Sequence, residues 1–240
     1  MTLGISLAGN VALVVAMIVC LLSALQNISQ EKKMVRIQDG ACQDSLTLEA
    51  LEDFLKLNPC GSAQGGISAK VTLDPDTAHP RLVLSEDRKS VRWGDVLQNL
   101  SDSSERFSSG TCVLGREGFI SGQHCWEVEV GDGGDWAVGV ARESVKRKGN
   151  NITLSPEAGI WALELFSGQY YAFTSPVARL TLSSSLKKVW VYLDRVRGWV
   201  VFLDADSEAP IFTFPPAVFS GERIHPWLWV GEGSPLTLHP

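Results

Sequence analysis

Ten short runs rich in β-branched and aromatic residues, spread from residue 81 to residue 230, constrain the fold more than any other feature. They are RLVLS (81–85), SVRW (90–93), CWEVEV (125–130), WAVGVA (136–141), GIWALEL (159–165), QYYAFT (169–174), KVWVYLD (188–194), WVVFLD (199–204), IFTF (211–214) and HPWLWV (225–230). Turn-forming residues fill the gaps, and no helical period is sustained between the runs. Such a pattern predicts an antiparallel sandwich or barrel. No segment repeats at a fixed interval, which gives no support to a propeller.

The third and fourth runs show the logic at residue level. Trp126, Val128 and Val130 alternate with Cys125, Glu127 and Glu129. One face is apolar and the other mostly acidic, as in a half-buried antiparallel strand. Next, Trp136, Val138 and Val140 alternate with Ala137, Gly139 and Ala141, so the second face is small enough for a close neighbour. Residues 131–135, GDGGD, read as a hairpin connection in which glycine supplies positive φ. The same stretch makes a poor phosphate cradle. It leads into a strand rather than a helix, no Lys-Ser/Thr pair is present, and Asp132 and Asp135 would repel an anion. Trp126, Trp136, Trp161 and Trp190 all fall on alternating strands and read as core.

Composition narrows the function. The net charge of −6 argues against a nucleic-acid binder, which needs a basic face. The one compact basic run, Lys146-Arg147-Lys148, reads as a solvated turn. Five cysteines (Cys20, Cys42, Cys60, Cys112, Cys125) and four scattered histidines give no tetrahedral zinc spacing. They read as reduced thiols rather than a disulfide framework. No G-x-S-x-G, H-E-x-x-H, P-loop or paired Cys-His signature occurs, so no catalytic residue, metal or cofactor is expected.

The amino-terminal part differs. No charged side chain precedes Glu31, and the apolar run that begins at Ile5 and ends at Leu25 has 21 residues. As a helix it would span about 31 Å, enough for a bilayer core of roughly 30 Å. Residues 1–30 are therefore expected to be a membrane anchor. Lys32, Lys33 and Arg36 lie just after it, which places the amino terminus outside and the rest in the cytosol. A cleaved signal peptide is the competing reading: the densest apolar core, residues 11–22, suits one, but no basic residue precedes it and the small-residue cleavage pattern is incomplete. In that case the sequons at Asn27, Asn99 and Asn151 would face a glycosylating lumen. Residues 31–69 read as a stem and linker. They hold one short helix carrying Leu48, Leu51 and Leu55, ended by Asn58-Pro59. This helix could pack on the neighbouring domain or support a homodimer.

From residue 70 to 240 the chain resembles the PRY-SPRY domain of butyrophilins, tripartite-motif proteins and snake-venom vespryns. The ordered motifs are VTLDPDTAHPRLVLSED, ERFSSGTCVLGREGFISGQHCWEVEV, WAVGVARESVKRKG, GIWALEL, VYLD and PLTLHP. The resemblance implies an all-β fold, a bent antiparallel β-sandwich, whose loops bind a protein partner without catalysis. An anchor, a stem and this domain look like the lower half of a butyrophilin without its immunoglobulin domains, which implies immune regulation. The alternatives are a secreted vespryn-like effector and a substrate-recognition fragment of a tripartite-motif ubiquitin ligase.

The resemblance also implies where a partner would bind. Tripartite-motif relatives grip partners with aromatics near the end of the GIWALEL strand. Here that region offers Glu164, Phe166, Tyr170 and Phe173. Arg195 and Arg197 stand where relatives carry an acidic turn, making a basic tip. Some butyrophilins bind phosphorylated metabolites in a basic pocket that uses a His-Tyr pair just before CVLG. Gly110 and Thr111 occupy those positions here, leaving Lys148 and Arg179 as residual anion-binding candidates. A phosphorylated metabolite is accordingly not expected as a ligand, since such sites need several converging charged donors.

Overall fold

The structure, a computed structural model, describes Cys60 and residues 68–131, 133–149 and 153–240. The expected anchor, the stem helix, the sequons at Asn27 and Asn151, Cys20 and Cys42 lie outside the described residues. Contact density separates Met1–Leu57 from a second unit, Asn58–Pro240.

Among the described residues, thirteen strands build this second unit: β1 (Leu82–Leu84), β2 (Ser90–Trp93), β3 (Cys112–Leu114), β4 (Gln123–Glu129), β5 (Trp136–Arg142), β6 (Ile160–Phe166), β7 (Gln169–Ala172), β8 (Ala178–Leu180), β9 (Lys188–Asp194), β10 (Trp199–Asp204), β11 (Pro210–Thr213), β12 (Ile224–Val230) and β13 (Leu236–His239). They form two antiparallel sheets. One has seven strands in the order β1-β2-β13-β4-β9-β10-β11, the other six in the order β3-β12-β5-β6-β7-β8. The expected all-β sandwich is what the chain forms.

Alternation decides what each face meets. Trp126, Val128, Val189, Val191, Val200 and Phe202 of the first sheet pack against Trp136, Val138, Trp161, Leu163 and Leu228 of the second. A second apolar cluster lies on the far face of the six-stranded sheet. There Ala137, Ala141, Ile160, Ala162, Phe173 and Trp227 are joined by Phe107 and Val145 from loops. The small second face of β5 has its reason here. An ideal Cβ on Gly139 would stand 2.1 Å from the Trp161 carbonyl oxygen, so only hydrogen fits.

Four expectations need correction. Residues 131–135 do not close a hairpin: β4 pairs with β9 and β13, whereas β5 pairs with β12 and β6. The turn carries the chain from one sheet to the other, because the tryptophan faces of β4 and β5 look at each other across the core. Gly134, at φ 78, permits the tight passage beside Ser234. Trp190 lies on the outer face of β9, where its indole N–H donates to Glu127. Arg147 is buried rather than solvated; its guanidinium donates to the backbone oxygens of Glu105 and Glu143 and pairs with the Glu105 carboxylate. The reduced-thiol expectation fails at one pair. Cys60 and Cys125 form a disulfide with Cα atoms 5.6 Å apart. Cys112 is a free, buried thiol.

Candidate functional site

The register of the six-stranded sheet aligns one residue from each strand in a row across its outer face. Trp229 pairs with Cys112 and Ala137, Ala137 with Glu164, Glu164 with Tyr171, and Tyr171 with Arg179. Directly paired residues in an antiparallel sheet point to the same side. The next row, Leu114, Trp227, Gly139 and Ala162, lies under the second apolar cluster. The first row runs from the edge of that cluster, where Cys112 and Ala137 are buried, to the exposed Arg179 on the edge strand. Ala137 is fully buried, and Trp229, Glu164 and Tyr171 are each half-buried.

Glu164 is the chemically distinctive member. Its carboxylate makes no hydrogen bond or ion pair among the described residues. Burial pushes its pKa up to about 7, and the nearby Asp135 carboxylate adds to the rise. Asp135 is held at the foot of β5, accepting a 2.8 Å hydrogen bond from the backbone N–H of Ser167 in the β6–β7 turn. Phe166 ends β6 on the same side and is 48% exposed. Arg179, on the edge strand β8, donates to the Gln169 side chain rather than to Glu164. A carboxyl partly stripped of water, flanked by a tryptophan and a tyrosine, suits a cationic or hydrogen-bond-donating group on a partner.

The other expected contact residues divide. Tyr170 points into the sandwich, its ring 6.2 Å from Trp136 and its hydroxyl accepting a 3.0 Å bond from the Leu186 N–H. Phe173 is 3% exposed and packs edge-on against Trp227. Both are core, so neither offers a contact surface. Sequence reasoning missed Tyr171, Trp229 and Asp135. With two adjacent tyrosines, only the pairing of Glu164 with its neighbour shows which one faces out.

Arg195 and Arg197 sit on the β9–β10 hairpin, away from this row. Arg195 is folded back, its guanidinium 4.6 Å from the Phe219 ring centre and donating to the Glu222 carbonyl. Arg197 stays half-exposed and pairs with Asp194 at 2.9 Å. Asp194 is fully buried. Burial alone would raise its pKa, but bonds from the Arg197 and Val196 backbone and from the Gln123 and Arg197 side chains hold it below the usual carboxylate range. The expected basic tip is thus largely a device for closing its own turn. Lys148 pairs with Asp102, and Thr111 is buried with its hydroxyl donating to the Val230 carbonyl. Lys148 and Arg179 are each engaged locally. Among the described residues, no group of three or more His, Cys, Asp or Glu side chains could hold a metal ion.

Elsewhere, a cleft of about 400 Å³ opens among Arg142, Trp161, Phe214, Pro215, Pro216 and Val218. Arg142 stacks over Trp161 at 5.6 Å and is committed to Glu222 and the Val218 carbonyl, so it stiffens the wall more than it offers a charge.

With this geometry in place, two family models match the chain. The SPRY-associated domain, PRY, covers residues 71–119, and the SPRY domain covers residues 123–239. Human butyrophilin subfamily 1 member A1 is 48% identical over 172 residues, 71% of this chain and 32% of the relative. Human zinc finger protein RFP is 46% identical over 155 residues, 64% of this chain and 30% of the relative. The chain thus spans about a third of the length of these curated relatives. Among solved structures, stonustoxin superposes with a TM-score of 0.61 at 29% identity, over 72% of this chain and 27% of the toxin chain. A TRIM65 PSpry domain superposes with a TM-score of 0.63 at 22% identity, over 72% of this chain and 91% of that domain, and shares the fold. Two family models matched in order, and the two-sheet sandwich that their residues build, place the chain in the PRY-SPRY family.

Proposed function

We propose that this chain is a non-enzymatic interaction protein that grips a protein partner on the outer face of its six-stranded sheet. The observation that carries the reading is the row of half-buried Trp229, Glu164 and Tyr171 on that face. Partly exposed aromatic side chains give contact area at low entropic cost. The Glu164 carboxyl, without a partner among the described residues, selects for a donor, best met by a lysine or arginine of the bound protein. Phe166 and Asp135 extend the surface toward the β6–β7 turn. Residues 5–25 tether the domain to a membrane, and the role is butyrophilin-like regulation of immune cells; the similarity to butyrophilins supports that part.

The test compares partner capture by the intact chain with capture by Glu164→Lys and by Tyr171→Ala, using Arg92→Ala, exposed on β2 of the other sheet, as a control off the surface. The expected result is at least a tenfold loss for the first two, since removing an interface anchor costs about 1.4 kcal/mol or more, and no loss for the control. Equal recovery by correctly folded Glu164→Lys would reject the surface.

One observation favours a second reading, a lumenal or secreted effector. Disulfides persist in oxidising compartments and are reduced in the cytosol. The Cys60–Cys125 bond supports the former.

A further inference from the structure

Three features of this domain converge on a modification. The tripeptide Asn99-Leu100-Ser101 has the N-x-S/T form with no proline in the middle. It lies in an irregular loop between β2 and β3, with all three residues exposed. The loop is pinned on both sides while Asn99 stays clear. The Gln98 N–H donates to the Pro80 carbonyl, and the Arg106 side chain donates to the Ser101 carbonyl. The Asn99 carboxamide makes no hydrogen bond among the described residues, so a transferase could approach it without unfolding anything.

The second feature is the loop's surface. Val96, Leu97 and Leu100 are 76%, 58% and 41% exposed. Three large apolar side chains within five residues of one loop are costly to leave in water. A sugar chain on Asn99 would cover them with polar groups. The third feature is the Cys60–Cys125 disulfide. Cys125 is 2% exposed within β4, so its oxidation belongs to the folded domain rather than to incidental surface chemistry. Such a bond forms where N-linked glycosylation also occurs, in the secretory lumen.

We propose that Asn99 is an N-glycosylation site and that the PRY-SPRY domain matures on the lumenal side of the secretory membrane. The glycan is attached through the Asn99 amide nitrogen, with the Ser101 hydroxyl completing the acceptor motif. It masks the Val96-Leu97-Leu100 patch. This placement departs from the cytosolic orientation expected from Lys32, Lys33 and Arg36 and from a membrane tether at residues 5–25, and it rests on the second reading above, a lumenal or secreted effector. It does not depend on the outer-sheet binding surface.

The experiment expresses the full chain in a cell with a secretory pathway and compares wild type with Asn99→Gln, Ser101→Ala and Asn27→Gln/Asn151→Gln on gels, before and after N-glycosidase digestion. The expected result is a glycosidase-sensitive shift in wild type that loses one step in both Asn99→Gln and Ser101→Ala. A thiol-reactive polymer added before reduction should leave Cys60 and Cys125 unmodified. A wild type that does not shift overturns the proposal. A shift that survives in Asn99→Gln but vanishes in Asn27→Gln/Asn151→Gln overturns the site. Labelling of Cys60 without prior reduction overturns the lumenal placement.

Discussion

At the residue scale Glu164 matters most. Its pKa is raised from 4.5 to about 7, with burial the larger cause and Asp135 the smaller. A carboxyl raised in the folded state binds more protons there than in the unfolded chain between these values. Its contribution to stability therefore falls as pH rises through that window and is unfavourable above it. Glu164→Gln should lose this penalty. Denaturant midpoints should show the variant gaining on wild type from pH 5 to pH 8; an equal difference at both pH values would mean that Glu164 is fully hydrated. Glu164 and Phe166 were legible as surface candidates only through the resemblance to tripartite-motif relatives, since Ile160 and Ala162 on the same face of β6 are apolar and blur its alternation. Tyr170 and Phe173 were not, because an aromatic on a short strand fits core and contact equally until the register is known. Arg195 looked like an exposed cation for a similar reason: sequence does not show that Phe219, 24 residues on, lies beneath its guanidinium.

At the element scale, the strands with clear alternation were readable, and β3, β8 and β13 fall outside the ten runs. They have three, three and four residues, which leaves little of a period to show. The 131–135 turn was misjudged because glycine signals a turn but not its partner. Whether two successive strands pair or face each other depends on which side their large residues take. Trp126 and Trp136 both point inward, which puts β4 and β5 in opposing sheets. Gly139 is the most demanding position on β5. Gly139→Ala would press a methyl against the Trp161 carbonyl and the Ala162 backbone. Neither can retreat without parting β5 from β6, and overpacking of this kind costs about 1–3 kcal/mol. Urea unfolding should show a loss at the upper end of that range; a neutral substitution would mean that the two strands are less tightly apposed than described.

At the scale of the whole molecule, the sandwich and the family were visible in the sequence, while the oxidation state of its thiols was not. An odd cysteine count with no regular spacing hid a pair separated by 65 residues that the fold brings together. Closing a loop of that length stabilises by about 4 kcal/mol in the chain-entropy view. Adding a reductant should lower the thermal midpoint of wild type, and Cys60→Ser should start low and no longer respond. Unchanged midpoints would mean that the bond does not constrain the domain. The outer face of the six-stranded sheet is where partners are expected to meet this protein. A photo-crosslinking residue placed in turn at Tyr171, at Phe166 and at Trp190, on the opposite sheet, tests this most directly in cells expressing the full chain. Binding at that face predicts covalent partner adducts from positions 171 and 166 and none from 190. Adducts from 190 alone, or equally from all three, would contradict it.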